Sequence, residues 1–439
     1  MESSQLSQTL VVTSPEQLEL FNPIENKKEI RVDNTFARSL YLIDEQFEED
    51  SVLIKSLIIF FHNEIQNNIF GVSSFDVSRF AKQMGYLPDN LNAMHPNPVQ
   101  LRGKTKAEID IMKAKEIADP VQFKIWDSNL ENALYVLSTN TVNVKYGKTV
   151  VDDGDFSMVT GLSGQRYLKS IQMTLKKTKN VTKKVYMYEL DPDFVQKTLS
   201  LYSYIDLSKI ALFQKRRLDN LYLFVSSNIA SILHEAKLQG IQKGDGYIEQ
   251  DFILYFNMAK RLLGTNCKLE KENKRAIKKK LDEFNLLLTE DDFKIEPEWM
   301  KGENNMTYYQ INLHLKIPKS RIKTDKEEQE DKTRMMNEVS FFNLFHILFK
   351  LTNSQAYYTS TMVDKVLAFN DWLKDDTKDY EDKLDMIKTS NKQVYGTVEK
   401  PSFVSEKQIY QRALKGLQEV NIINNAFKGN LVQLEEKNK

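Results

Sequence analysis

The sequence predicts an α+β protein in which one order of elements, three helices followed by strands that close in a hairpin, occurs twice. A helical C-terminal region follows. Three observations carry this. Apolar residues recur at helical spacing in segments that stop at Gly85, Gly240 and Gly264, and glycine just past the last periodic residue ends a helix. Strand-like alternation follows the third helix of each half. A charged stretch with few apolar residues, 318–334, separates both halves from further helical periodicity.

Residues 1–32 read as a flexible N-terminal arm and 33–200 as the first unit. From Ser51 to Gln66, Val52, Leu53, Leu57, Phe60, Phe61 and Ile65 share one helical face. Asn68–Val72 is a short extended piece. Ser73 or Ser74 can then cap a second helix through Met84, with Phe75, Val77, Phe80, Ala81 and Met84 inward. Asn90–Lys124, mixed in charge, reads as an insertion (90–124) with a short helix around Lys106–Glu116. Ser128–Leu137 is the third helix, with Leu130, Ala133, Leu134 and Leu137 on one side. Thr141–Lys148 alternates as a strand and turn. Phe156–Val159 is a second strand after the acidic loop Asp152–Asp155. Arg166–Lys177 with Lys183–Leu190 reads as a hairpin with a basic tip, and a helix starting at Ser163 is the competing reading.

The second unit spans 201–317. Leu218–Lys237 is its first helix, Tyr247 and Ile248 a short strand, Gln250–Leu263 the second helix and Cys267–Leu288 the third. Leu288–Trp299, the turn residues Gly302–Asn305 and Thr307–Ile317 make a hairpin. Three helices and then a hairpin is the order of a winged helix. The expected fold class is therefore α+β, with tandem winged-helix domains and a helical C-terminal region. The halves share element order, not sequence. Residues 318–334 form a charged linker. Across 335–439 helices are expected at about Met335–Leu351, Thr359–Lys374 and Glu406–Ala426.

The chain has 439 residues, 41% hydrophobic and 28% charged, enough to bury real cores. Its 61 Lys and Arg balance 61 Asp and Glu. That excludes a uniformly basic coat protein but leaves DNA binding open, because binding depends on where the charge sits. The single Cys267 excludes an intramolecular disulfide and a multi-cysteine zinc site and fits a reducing compartment. No two of His62, His95, His234, His314 and His346 lie within a helical turn, so no histidine pair for a metal is visible. Asp152-Asp153-Gly154-Asp155 lacks the full spacing of a calcium loop and reads as a turn. Neither a phosphate loop nor a Gly-x-Ser-x-Gly elbow occurs, so no enzyme activity and no cofactor are expected. The apolar runs Ser56–Phe61 and Phe341–Leu351 fall short of the about 18–20 residues of a membrane span. The polar start Met1–Asn26 is not a signal peptide. A cytoplasmic location, away from membranes, is the expectation.

The third helix of the second unit is the most informative element. Between Lys260 and Phe284 there are nine basic and four acidic residues. At about 100° per residue, Leu269, Ala276, Ile277, Leu281 and Phe284 fall on one side. Lys268, Lys271, Arg275, Lys278 and Lys279 fall on the other, with Lys274 beside them. A helix anchored on one face and cationic on the other can enter the major groove of double-stranded DNA. An ordinary solvated face is the competing reading. Ser163–Tyr188 carries a second basic stretch without an acidic residue. In it Lys176, Lys177, Lys179, Lys183 and Lys184 cluster around the hairpin tip, suited to backbone contacts.

Tyr186-Met187-Tyr188-Glu189-Leu190-Asp191-Pro192-Asp193-Phe194, then Tyr202-Ser203-Tyr204-Ile205-Asp206-Leu207, then Leu218-Asp219-Asn220-Leu221-Tyr222-Leu223-Phe224 resemble the junction between the two winged helices of plasmid replication initiators of the iteron-binding Rep family. The resemblance covers roughly Asp33–Ile317 and lies in element order more than in a tight motif. It implies binding to repeated origin sites on double-stranded DNA, duplex opening, recruitment of host replication proteins and a monomer-to-homodimer switch. The helix from Lys268 to Lys280 matches the family's second recognition helix in position. Ser128–Leu137 matches the first but carries Glu131, with Asp127 just before it. The insertion and the C-terminal tail depart from the family. Rolling-circle initiators need a histidine pair that is missing here. A winged-helix transcriptional regulator, or a non-enzymatic protein-interaction protein whose basic faces meet other proteins, are the alternatives.

Overall fold

The computed structural model describes residues 29–67, 71–119, 123–152, 155–178, 181–289, 292–301 and 308–332, with 334, 335, 338, 339 and 342. Most of the N-terminal arm, the turn Gly302–Asn305 and the C-terminal helices, single positions of the first apart, lie outside the described residues. Lys28–Gln66 and Phe75–Met336 form one compact unit, and Met1–Lys27, Asn67–Ser74 and Asn337–Lys439 belong to a second. No described helix is long and apolar enough to cross a membrane.

The first element is a strand where the arm was expected to end. β1 (Glu29–Asp33) pairs antiparallel with a later strand, and Ile30 and Val32 are buried. Asp33 then caps α1 (Asn34–Phe47), its carboxylate accepting from the Thr35 N–H at 2.9 Å. This helix, unforeseen in sequence, is followed by a single 3₁₀ turn and α2 (Ser51–Asn67).

β2 (Val72–Asp76) begins later than the extended piece expected at Asn68–Val72. Asp76, rather than Ser73 or Ser74, caps α3 (Val77–Met84): it accepts from the Arg79 N–H at 2.7 Å. Aspartate is as good an N-cap as serine, and its position is set by where the strand ends. Gly85 stops α3 at φ 75°, a left-handed turn that suits glycine.

The insertion holds two short helices, α4 (Pro88–Asn92) and α5 (Lys106–Ala118), the second opened by a Thr105–Glu108 capping box. Ser128 caps α6 (Asn129–Thr139). Its apolar face, Leu130, Ala133, Leu134 and Leu137, is buried as the spacing predicts.

Four strands follow. β3 (Val142–Asp152) and β4 (Asp155–Gln165) pair antiparallel and run longer than expected. β5 (Leu168–Thr178) and β6 (Val181–Leu190) form the expected hairpin, and no helix starts at Ser163. β2, whose last residues Phe75 and Asp76 belong to this unit, lies beside β6 in the order β2-β6-β5. Phe60, Phe61, Phe75, Phe80, Tyr186 and Tyr188 make one aromatic core.

Asp191 and Pro192 start α7 (Pro192–Ser200), and β7 (Tyr202–Asp206) pairs with β1. α8 (Leu207–Lys215) leads to α9 (Asp219–Leu238), which packs along α1. Buried Lys55 lies 2.8 Å from Asp219 and 3.1 Å from Asp44, so both halves share one ion cluster.

β8 (Tyr247–Tyr255) corrects the reading of Gln250–Tyr255 as helix: only α10 (Phe256–Leu263) is helical there. α11 (Glu270–Leu287), β9 (Lys294–Lys301) and β10 (Tyr308–Pro318) complete a helix, helix and sheet arrangement in the order β8-β10-β9. Ile311, Leu313, Leu315 and Ile317 form the buried face of β10.

The charged linker is not extended. Residues 325–332 are helical, with Asp325 and Glu328 paired to Lys237 and Glu327 paired to Lys243. The fold is mixed α+β with small sheets.

Candidate nucleic-acid interface

α11 is placed by a stripe at i, i+4, i+8 and i+11: Asn273, Ile277, Leu281 and Phe284 are buried. Phe284 stacks near Phe213 and Phe293. Leu269, expected on this side, is 61% exposed because it stands at the N-cap, before the helix begins. Asn273 takes over the role of a cap. Its side chain accepts from the Cys267 N–H at 2.8 Å and donates to the Cys267 carbonyl at 2.8 Å, fastening the loop that enters the helix. Sequence reasoning missed Asn273, since a polar residue at helical spacing carries no sign of being inward.

On the opposite face Lys271, Arg275, Lys278 and Lys279 are exposed, and Lys268, expected in the helix, is exposed in the loop before it, because the helix starts only at Glu270. Among the described residues none of these five has an acidic partner within 4 Å. Glu270 and Glu272 stand exposed in the first turn, so the positive charge grows toward the middle of the helix. The neighbouring lysines are held. Lys274 is half-buried, its ammonium 5.0 Å from the centre of the Trp299 ring. Lys280 donates to the Leu263 carbonyl at the end of α10. Burial, with Arg217 nearby, pushes its ammonium below the usual lysine range.

The β5–β6 hairpin separates its cations. Lys176 pairs with Lys183, and Leu175 with Lys184, near the tip. Successive residues of a strand point to opposite faces. Lys183 is exposed. Lys184 turns inward and lies 2.8 Å from Glu131 of α6. For Lys176 and Lys177 the backbone position in β5 is described. Lys179 lies outside the described residues. Arg166 donates to main-chain carbonyls of Ser138, Leu168 and Lys169, and Lys169 pairs with Glu189 at 2.6 Å, so both are used inside the fold.

Glu131 is the centre of a buried cluster. It receives Lys184, Lys124 at 3.2 Å and the Tyr186 hydroxyl at 3.1 Å. Burial pushes its carboxyl up, but the Lys184 hydrogen bond and the Lys124 charge outweigh that and hold it below the usual glutamate range. The geometry thus brings together Lys271, Arg275, Lys278 and Lys279, without an acidic partner among the described residues, on one helix, leaves Lys268 just before it, and ties Lys184 to Glu131.

No family model matches the chain, and no curated protein matches it. Among solved structures, a crystal structure of domains 2 and 3 of RctB aligns with a TM-score of 0.29 and 7% identity, covering 61% of this chain and 81% of that one. A second crystal structure of RctB domains 2–3 aligns with a TM-score of 0.23 and 9% identity, covering 64% and 84%. At such TM-scores the likeness decides neither fold nor function.

Proposed function

We propose that this chain is a sequence-specific DNA-binding protein that initiates replication by binding repeated sites at an origin. In this reading Glu29–Leu190 and Tyr202–Pro318 are two winged helices. α11 is the recognition helix of the second, and the β5–β6 and β9–β10 hairpins are wings. The observation that carries the reading is the face of Lys271, Arg275, Lys278 and Lys279, exposed and without acidic partners, on a helix anchored through Ile277, Leu281 and Phe284. Cations so placed gain from counterion release at phosphates and can donate to guanine edges. The protein acts by binding and deforming DNA and by assembling with host replication proteins and a second copy of itself, with no chemistry of its own.

Footprinting on DNA flanking the gene tests this. Protection of direct repeats of about 20 base pairs, roughly two turns of duplex, supports an initiator. Protection of a lone palindrome points instead to a transcriptional regulator, and no protection overturns DNA binding.

A further inference from the structure

The insertion has a physical consequence for how DNA is read. In a helix-turn-helix unit the N-terminal residues of the recognition helix contact base edges. The side of α6 away from Leu130, Ala133, Leu134 and Leu137 carries Glu131, Asn132, Tyr135 and Thr139, with Ser128 at its N-cap. That face should meet solvent or DNA. Instead, at the N-terminal end of the helix, Glu131 and Asn132 are 0% exposed and Ser128 is 4% exposed, while Tyr135 is half-buried and Thr139 at the far end is exposed.

Asn90, Ala93, Met94, Val99 and Lys124 of the insertion cover this end of the helix through specific bonds. Asn129 donates from its side chain to the Asn90 carbonyl at 2.7 Å and from its main chain to the Ala93 carbonyl at 2.9 Å. The Val99 N–H donates to the Asn132 side chain at 2.8 Å. Met94 and Ser128 form an isolated bridge. Lys124 closes on Glu131. The insertion, together with Asp50, which accepts from the Asn132 side chain at 3.3 Å, and Tyr186, whose hydroxyl donates to Glu131, therefore spends the hydrogen-bonding groups that the N-terminal end of α6 could offer to a base. Lys184, the cation of the adjacent hairpin nearest to α6, is spent on the same carboxylate.

We infer that the N-terminal end of α6 is closed to DNA by the insertion, through Asn90, Ala93, Val99 and Lys124, and that each bound chain reads sequence through α11 alone. This rests on the DNA-binding reading above. The first unit then positions the protein on the backbone, through the β5–β6 tip, and carries no base preference. A single helix in one major groove specifies about three to five adjacent base pairs. A paired reader would specify two unrelated blocks.

The test is a single-base substitution scan across the footprinted site with the full chain. Bound chains per duplex are counted by native mass spectrometry. One block of sensitive positions per bound chain is expected, with losses of about 5- to 150-fold inside it and no comparable loss elsewhere. Asn129→Ala and Tyr135→Ala should leave the pattern unchanged, while Lys278→Ala should flatten part of the block. Two unrelated blocks per chain, or a pattern altered by the α6 variants, would overturn the inference and leave the DNA reading standing. Absence of any base preference at any duplex would overturn the DNA reading and the inference with it.

Discussion

The Lys184 ammonium lies 2.8 Å from the carboxylate of fully buried Glu131. This pair ties the hairpin β5–β6 to α6, and Lys124 and Tyr186 complete the same cluster. Removing one member of a buried ion cluster strands the rest. Glu131→Ala should therefore cost about 3–5 kcal/mol in denaturant unfolding. Lys184→Gln should cost less, since Lys124 still faces Glu131. In a fluorescence titration with DNA, Lys184→Gln should bind nearly as wild type while Lys183→Gln weakens binding. Equal losses from both would show that Lys184 reaches the phosphates.

On α11, Lys271→Ala, Arg275→Ala and Lys278→Ala should each weaken specific DNA binding, by about 1–3 kcal/mol where a base is contacted. Where a phosphate is contacted, the slope of log affinity against log salt should fall by about one. Melting should be unchanged, because these side chains lie opposite the buried stripe. Lys274→Ala should change binding less, since its ammonium sits over Trp299. Wild-type affinity in the triple variant, with melting intact, would remove α11 as the reader.

Asn273→Ala removes both bonds to Cys267 and leaves its half-buried N–H and carbonyl without these partners. A cost of about 1–3 kcal/mol is expected. The loop before α11 should exchange its amide hydrogens faster, measurable by mass spectrometry. Unchanged exchange at Cys267 would show that the helix holds its own entry.

His62 supplies a pH dependence. Burial pushes its imidazole down to about 3, the bond to the Ile58 carbonyl opposing only in part. Unfolded histidine titrates near about 6.5. Between those values the unfolded chain takes up a proton that the folded one refuses. The stability due to neutral His62 is complete above about pH 6.5 and is lost as pH falls toward 3, by at most about 1.4 kcal/mol per pH unit. The difference between wild type and His62→Phe, unfolded in urea at pH 7, 6, 5 and 4, should carry that slope. A difference independent of pH would mean that His62 is solvated.

Local periodicity made the helices legible. α2, α6, α9 and α11 stand where apolar residues recur at helical spacing, and β5–β6 and β9–β10 where they alternate. The misreadings have identifiable causes. Gln250–Tyr255 has no strict alternation, and β8 exists because it pairs with β10 from Tyr247 to Tyr255. β1 was invisible because Ile30 and Val32 are buried only by distant partners, β7 among them, whereas α1 was missed although Phe36, Ala37, Leu40, Tyr41 and Ile43 recur at helical spacing and are buried. Caps shifted by a few residues wherever an aspartate at a strand end outcompeted a serine, as at Asp76.

For the candidate site, the sequence by itself determined which faces of α11 are apolar and cationic, because that depends only on spacing along one helix. Tertiary structure alone decided which cations are free. Lys274, Lys280 and Lys184 are held by Trp299, Leu263 and Glu131, residues 17 to 53 positions away in the chain for the last two. It alone decided that Ser128, Glu131 and Asn132 at the start of α6 are buried. Whether a polar side chain meets water, DNA or another part of the chain is a property of the surface laid over it, and Asn90, Val99 and Lys124 are laid there by the fold.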